Sequence, residues 1–211
     1  MNRSLICFLD FDNTLFDTIG AFWSDYKKFY ASFGVTPQMC DEAHHELKIA
    51  HIKYHFDHHL RIINRRLPTP LPLDDVHRAF ADAFPDLSKY LFPDVLPFLR
   101  RLQTLGTPTL IVSYGDPDWQ EYKINAVGLF PYITERLYSG EHGDKYSFIL
   151  PRIKGYQRAI FVDDDIRELD PMVQKIPTVE RYVMNRRTKS TQEGIAHRPI
   201  TTLAAIPLDT A

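Results

Sequence analysis

The chain has 211 residues, a length that suits one medium domain or one domain carrying a smaller inserted one. Hydrophobic residues at 44% allow a buried core, and a net charge of −2 gives no electrostatic reason to expect nucleic acid or an anionic membrane as partner. Two cysteines, Cys7 and Cys40, cannot form a disulfide framework, which agrees with a reducing compartment. The apolar run Leu5–Leu9 is too short for a signal-peptide core, and no run approaches the roughly 20 residues of a membrane span. We therefore expect a soluble cytoplasmic protein.

Three apolar runs have the length of buried β-strands: Ser4–Asp10 (SLICFLD), Thr109–Ser113 (TLIVS) and Ala159–Asp163 (AIFVD). Continuous apolar runs are typical of strands buried on both faces, as in parallel sheets. Helical patterns separate them, notably at Pro93–Gly106 and Pro117–Gly128. Alternating strands and helices predict an α/β fold with a doubly wound parallel sheet.

The stretch 18–92 interrupts this alternation, because it contains three or four helical patterns and no convincing strand. Thr36 and Pro37 predict a helix N-cap and first turn, and the helix is expected to run to about Arg66, before a proline-rich break. A shorter amphipathic helix is predicted at Asp74–Phe84. We interpret 18–92 as an inserted all-helical domain. The core domain would then comprise 1–17 and 93–211.

Within the predicted long helix, two sets of residues recur at helical spacing. The predicted core stripe contains Ile49, Ile52, Phe56, Leu60, Ile63 and Leu67. Four histidines are predicted to share another face: His44, His51, His55 and His58. A polar face is the favoured interpretation of the histidines, and we assign no zinc site to them. The part of that face with His51, His55 and His58, and with Arg61, Arg65 and Arg66 nearby, could contact the leaving group.

The motif with the clearest chemistry is FLDFDNTLFDT, between Phe8 and Thr18. Asp10 ends the first strand and Asp12 follows two residues later. Ligands in open α/β sheets bind beyond the carboxyl ends of the strands, where both carboxylates would lie. Because two close acids repel, one tends to hold a proton, which suits an ionised nucleophile beside a general acid. A strand end followed by an ordinary Asp/Asn turn is the alternative interpretation.

Three further features stand where the same chemistry needs them. Ser113 ends the second strand and could bond a phosphoryl oxygen, although a simple turn cap is the likelier role for a lone serine. Lys145 could hold a phosphate and keep an aspartate ionised, although by itself a surface lysine is more common. Asp163, Asp164 and Asp165 end the third strand, and adjacent carboxylates there favour Mg²⁺ over a merely solvated turn.

The order of these features resembles the haloacid dehalogenase (HAD) superfamily of phosphohydrolases. Asp10 and Asp12 match its first motif, Ser113 its second, Lys145 its third, and Asp163-Asp164 its fourth. The resemblance covers 1–17 and about 93–211, and it implies a Rossmann-like core. The helical stretch matches the position and character of the superfamily's inserted helical cap. Tyr146 is a departure, since many relatives have proline after the lysine.

The resemblance implies a magnesium-dependent phosphatase that works in two steps. Asp10 would attack phosphorus to form an aspartyl phosphate, and Asp12 would protonate the leaving alcohol and then activate water. Mg²⁺ would be held by Asp10, the backbone carbonyl of Asp12, Asp164 and, directly or through water, Asp163. Ser113 and Lys145 would hold the transferring oxygens. A closing cap implies a small phosphorylated metabolite as the substrate.

Other functions were weighed against the same residues. A phosphomutase would keep every residue named above, so it stays open. Haloacid dehalogenation starts from the same nucleophile, but Asp12 argues against it because a halide leaving group needs no proton. A non-catalytic binding protein would be expected to have lost at least one motif, and none is lost. A receiver domain is rejected because only about fifty residues follow Phe161. Neither the leaving group nor the oligomeric state is predicted.

Overall fold

The structure, a computed structural model, describes residues 3–186 and 196–208. Its centre is a six-stranded sheet in which all neighbouring strands are parallel, in the order β3-β2-β1-β4-β5-β6. The strands are β1 Arg3–Leu9, β2 Thr109–Tyr114, β3 Glu135–Ser139, β4 Tyr156–Asp163, β5 Val179–Met184 and β6 Arg198–Ile200. The predicted parallel α/β fold is confirmed.

The three strands that the apolar runs predict lie together at the middle of this sheet. In β1, Phe8 pairs with Leu110 of β2 on one side and with Phe161 of β4 on the other. Phe8 and Phe161 are fully buried. Central strands are covered on both faces, so they need apolar side chains at successive positions.

Strands β3, β5 and β6 were not predicted from the sequence. β3 and β5 mix apolar and charged residues, and ion pairs join Glu135 to Arg152 and Glu180 to Arg158. β6 has three residues and lies at the edge of the sheet. The sequence after Thr188 predicts a loop and then a weak final segment. Residues 187–195 lie outside the described residues, and the described part of this stretch contains β6 and a 3-10 turn at Leu203–Ala205.

The described chain divides into two compact units, 1–17 with 91–114 and 128–211, and 18–90 with 115–127. The first unit contains the sheet and helices α5 Val95–Thr104, α7 Lys145–Ile149 and α8 Ile166–Lys175. The second contains α1 Trp23–Ala31, α2 Pro37–Ile49, α3 Phe56–Asn64, α4 Leu73–Ala83 and α6 Pro117–Ala126. No strand lies in the described part of 18–92.

The placement of α6 differs from the expected domain division, which put 115–127 in the core. Trp119 of α6 packs its ring against Phe56 and Phe80, with centroids 6.2 and 6.1 Å apart. Leu87 N–H also donates to the Ala126 carbonyl at 3.1 Å. These contacts join α6 to the helices of the second unit. That this unit acts as a cap stays a prediction.

The prediction of one helix from Thr36 to about Arg66 is wrong. Thr36 caps α2 as expected, but α2 ends at Ile49, and His51 adopts a left-handed φ of 54°. Ile52 N–H then donates to the Leu47 carbonyl at 2.9 Å, and His51 N–H to the Lys48 carbonyl at 3.2 Å, which is a Schellman stop.

The break removes both patterns that the long helix implied. Ile49 and Ile52 are exposed, at 65% and 47%, whereas Phe56, Leu60 and Ile63 of α3 are buried. The four histidines share no helix face, since His44 lies in α2, His51 follows it, and His55 caps α3. Arg65 and Arg66 both pair with Glu46 of α2.

None of the described helices is both long and apolar enough to cross a membrane.

Candidate active site

The carboxyl ends of β1, β2 and β4 bring the sequence-predicted side chains to one edge of the sheet. Leu9 pairs with Ile111 on one side and with Val162 on the other. Asp10 N–H continues the ladder by donating to the Val162 carbonyl at 2.9 Å. Asp10, Ser113 and Asp163 therefore all follow these paired residues at the same edge, and all three are buried.

The turn after β1 holds Asp12 beside Asp10. Asn13 adopts a left-handed φ of 61°, which asparagine tolerates better than most residues, and its N–H donates to the Phe16 carbonyl at 2.7 Å. Leu15 and Phe16 N–H both donate to the Phe11 carbonyl. The chain therefore turns back immediately and keeps the half-buried Asp12 close to Asp10. Burial raises the pKa of Asp10, and the nearby charge of Asp12 adds to that effect.

Lys145 lies at the centre of the site, at the start of α7. Its Nζ donates to Asp10 Oδ1 at 2.6 Å and to Asp163 Oδ2 at 2.7 Å, and all three side chains are almost fully buried. Asp163 Oδ1 accepts the Asp165 N–H at 2.8 Å. One ammonium therefore fixes two carboxylates that the chain separates widely.

The electrostatics of the site are dominated by burial. Burial raises the pKa of Asp10 and of Asp163. The nearby charge of Lys145 acts in the opposite direction on both but is the smaller effect. Burial followed by repulsion from Asp10 raises the pKa of Asp164 to about 8. For Lys145, burial would lower the pKa, but the charges of Asp10, Asp163 and Glu168 outweigh it and raise the pKa. The site thus holds more carboxyl groups than one ammonium can neutralise.

A divalent metal fits this surplus of carboxylates. Ligand oxygens of Asp10, Asp163 and Asp164 lie within 4.8 Å of one another. Asp10 Oδ2 is buried and has no hydrogen-bond partner among the described residues. Three carboxylates and no nitrogen or sulfur donor form the set that Mg²⁺ favours.

Ser113 is the remaining residue that the sequence singled out. It is fully buried in β2, next to Val112, and it pairs with Tyr138 of β3. Its Oγ has no hydrogen-bond partner among the described residues. The structure therefore places a hydroxyl without a hydrogen-bond partner among the described residues at the edge of the sheet where the carboxylates lie. A serine that caps a turn would instead have its hydroxyl bonded to the backbone of that turn.

Sequence reasoning missed two groups near the site. Glu168 of α8 is buried, its Oε1 lies 3.1 Å from His142 Nδ1, and its charge acts on Lys145. In the sequence, the signal for Glu168 was an acidic residue on the otherwise apolar face of α8, the helix that follows Asp163-Asp164-Asp165.

Arg186 is the second group. It donates through Nε and Nη2 to the Thr14 carbonyl at 3.1 and 3.0 Å, and through Nη1 to Asp94 at 2.9 Å. Nothing in the sequence around Arg186 indicated this.

The sequence and the fold are matched by known proteins. A family model described as haloacid dehalogenase-like hydrolase matches residues 5–173. The chain therefore belongs to the haloacid dehalogenase-like hydrolase family, as its motifs predict. No curated protein sequence matches the chain.

Solved structures of similar fold cover almost the whole chain. A putative haloacid dehalogenase-like hydrolase from Burkholderia xenovorans LB400 has a TM-score of 0.72 and 20% identity, over 95% of this chain and 94% of that chain. A putative beta-phosphoglucomutase from Thermotoga maritima has a TM-score of 0.64 and 14% identity, over 95% of each chain. An L-2-haloacid dehalogenase has a TM-score of 0.64 and 17% identity, over 96% of each chain. At these identities the likeness shows the fold alone.

Proposed function

We propose that the protein is a phosphatase that hydrolyses a small phosphomonoester with Asp10 as the nucleophile and Mg²⁺ as the cofactor. The observation that carries the proposal is the state of the Asp10 carboxylate. Lys145 holds Oδ1 at 2.6 Å, while Oδ2 is buried without a hydrogen-bond partner among the described residues. A nucleophile needs such an arrangement, with one oxygen fixed and the other available.

Each neighbouring group has a part in this chemistry. Asp10 attacks phosphorus, and the P–O bond to the leaving alcohol breaks while Asp12 donates a proton to that alcohol. Water then attacks the aspartyl phosphate, Asp12 takes the proton from the water, and phosphate leaves. Ser113 and Lys145 hold the phosphoryl oxygens. Asp10, the Asp12 carbonyl, Asp163 and Asp164 would hold Mg²⁺, which would supply positive charge that offsets the repulsion between carboxylate and phosphate.

Two other activities compete for the same residues, since structures of similar fold are described as a dehalogenase and a phosphoglucomutase. Asp12 favours phosphoryl chemistry, because an alcohol leaving group needs a proton and a halide does not. A mutase would return the phosphoryl group to its product and release no phosphate. The products therefore discriminate all three.

The substrate class follows from the organisation of the chain. Residues 18–90 stand, in sequence, between the first and second motifs, where related hydrolases carry a cap. We propose that this unit selects a small phosphorylated metabolite in the cytoplasm, and that neither nucleic acid nor a membrane is the partner. The net charge of −2 is consistent with that proposal.

The test is a panel of phosphate monoesters with Mg²⁺, with release of inorganic phosphate as the measurement. Asp10→Asn should abolish release, and Asp82→Asn, an exposed carboxylate of α4, serves as the matched control. Chelation should stop turnover and added Mg²⁺ should restore it. An Asp10→Asn variant that keeps more than roughly a tenth of kcat would contradict the nucleophile. Isomerised product without phosphate would indicate a mutase, and halide release from 2-haloacids a dehalogenase.

A further inference from the structure

A pocket of about 220 Å³ lies within the second unit, between α3, α4 and α6. Its volume falls below the roughly 300–1,000 Å³ that is usual for sites of drug-sized ligands, so its ligand must be small. Four aromatic side chains contribute to its wall: Phe56, Phe80, Trp119 and Tyr122.

The aromatic rings of the wall support one another. Phe56 and Phe80 lie 4.8 Å apart, and Trp119 stacks on Tyr122 at 5.6 Å with an interplanar angle of 16°. Phe80 also contacts the Tyr122 ring at 5.9 Å. Phe56, Phe80 and Trp119 are buried, so their positions are set by the packing of the unit. Lys123 Nζ already lies 6.0 Å from the centroid of the Trp119 ring, so Phe56, Phe80 and Tyr122 are the rings of the wall that can offer their negative electrostatic potential to a ligand.

Carboxylates accompany these rings. Asp57 and Asp118 both line the pocket, and no lysine or arginine is among the described residues that line it. Asp57 Oδ1 accepts a hydrogen bond from His77 Nε2 at 2.6 Å, which orients the carboxylate. Among the described residues, no hydrogen bond or ion pair engages the Asp118 carboxylate. The charge of Asp118 is therefore available to a ligand.

The two histidines of the pocket make their hydrogen bonds with Asp57 and not with Asp118. His55 Nδ1 accepts the Asp57 N–H at 3.2 Å and thereby caps α3. His77 can donate to Asp57 in its neutral or its charged form. A positive charge on either ring would therefore lie at Asp57, and the Asp118 carboxylate would stay without a cationic partner among the described residues that line the pocket.

We propose that this pocket binds a small organic cation, an ammonium group that carries methyl or methylene substituents. The alkyl groups would contact the aromatic wall, the positive charge would lie against the ring faces, and Asp118 would complete the neutralisation. A phosphate or carboxylate ligand would be repelled by the same groups. The inference uses none of the site residues around Asp10, so it stands apart from the proposed phosphatase activity.

Choline chloride is the probe, and isothermal titration calorimetry on the whole protein is the measurement. Its neutral analogue 3,3-dimethyl-1-butanol has nearly the same shape but carbon in place of the charged nitrogen. We expect saturable binding of choline at one site, and binding of the analogue weaker by at least roughly five-fold. Equal affinity for the two compounds, or no saturable heat with choline, would overturn the proposal.

Matched variants locate the binding. Asp118→Asn should weaken choline roughly three- to ten-fold, whereas Asp82→Asn, exposed on α4 and outside the pocket, should not change it. Tyr122→Phe keeps a ring and should bind as the wild type does, while Tyr122→Leu should bind more weakly. If Asp118→Asn and Tyr122→Leu both bind choline normally, the pocket is not the site. Asp10→Asn should also bind choline normally, which keeps this outcome separate from that of the phosphatase assay.

Discussion

Replacing Lys145 by methionine removes the one ammonium that the structure places between two buried carboxylates. The Nζ atom lies 2.6 Å from Asp10 Oδ1 and 2.7 Å from Asp163 Oδ2, and each of these side chains is at most 6% exposed. Methionine keeps an apolar stem of similar length, so the variant tests the charge rather than the packing. The exposed Lys154 provides the control, Lys154→Met.

The cost follows from the burial of the two partners. Breaking a buried pair leaves an uncompensated charge, which costs about 3–5 kcal/mol of unfolding free energy. The carboxyl groups can escape part of this cost by protonation. Their pKa values, already raised by burial, rise further without Lys145, so the folded variant binds more protons than the unfolded chain above roughly pH 4.

The sign of the pH dependence is therefore fixed. The contribution of Lys145, whose folded pKa is raised, is fully present below its ordinary pKa of 10.5. The variant instead loses stability as pH rises, by up to about 1.4 kcal/mol per pH unit for each linked proton. The difference from wild type should consequently be larger at about pH 7.5 than at about pH 5.5.

Urea unfolding of the metal-free proteins at these two pH values measures the effect. The midpoint of Lys145→Met should move to lower urea at both, and further at the higher pH, while Lys154→Met should follow the wild type. Turnover of Lys145→Met should be lost as well. A variant as stable as Lys154→Met at both pH values would refute the account of a buried, charge-compensated site.

Three further outcomes are expected. If Asp12 protonates the leaving group as proposed, Asp12→Ala should slow hydrolysis of alkyl phosphates more than that of p-nitrophenyl phosphate, and equal losses would contradict the role. Burial raises the pKa of Asp164 from 3.8 to about 8, so the metal-free protein should lose stability as pH rises across this range. The gain in Tm on adding Mg²⁺ should therefore grow with pH. A gain in Tm that is independent of pH would contradict the assignment of Asp164 as a metal ligand. Arg186→Ala should lower the free energy of unfolding in urea by about 2–4 kcal/mol, because it removes the donors to the Thr14 carbonyl and leaves the half-buried Asp94 without its ion pair. The control Arg152→Ala, which removes a more exposed ion pair, should cost less than about 1 kcal/mol. Equal losses would show that Arg186 adds no more stability than a surface ion pair.

The central strands and two of the acidic motifs could be predicted from sequence because their signals are local. A strand buried on both faces needs consecutive apolar residues, as in β1, β2 and β4. The carboxyl ends of parallel strands share an edge, so Asp10 and Asp163 were expected together before any contact was known. The outer strands β3 and β5 gave no such signal, since they place charged residues into ion pairs.

The end of α2 shows the opposite case. Helical periodicity continues through Ile49, Ile52 and Phe56, and neither glycine nor proline marks a stop. The chain nevertheless reverses at His51 because the Schellman bonds satisfy the last carbonyls while α3 buries its apolar face separately. Periodicity reports which residues are apolar at helical spacing, but it does not report where the helix ends.

The sequence by itself determined the fold class and the order of the motifs, since both depend on short-range patterns. Only the tertiary structure decided the partners of Lys145, which lie 135 and 18 residues away along the chain, and the contact of Arg186 with the Thr14 carbonyl. It likewise decided that α6 joins Phe56 and Phe80 around a pocket in the second unit. Such contacts join distant segments whose approach depends on the packing of the whole unit, and no local pattern encodes that packing.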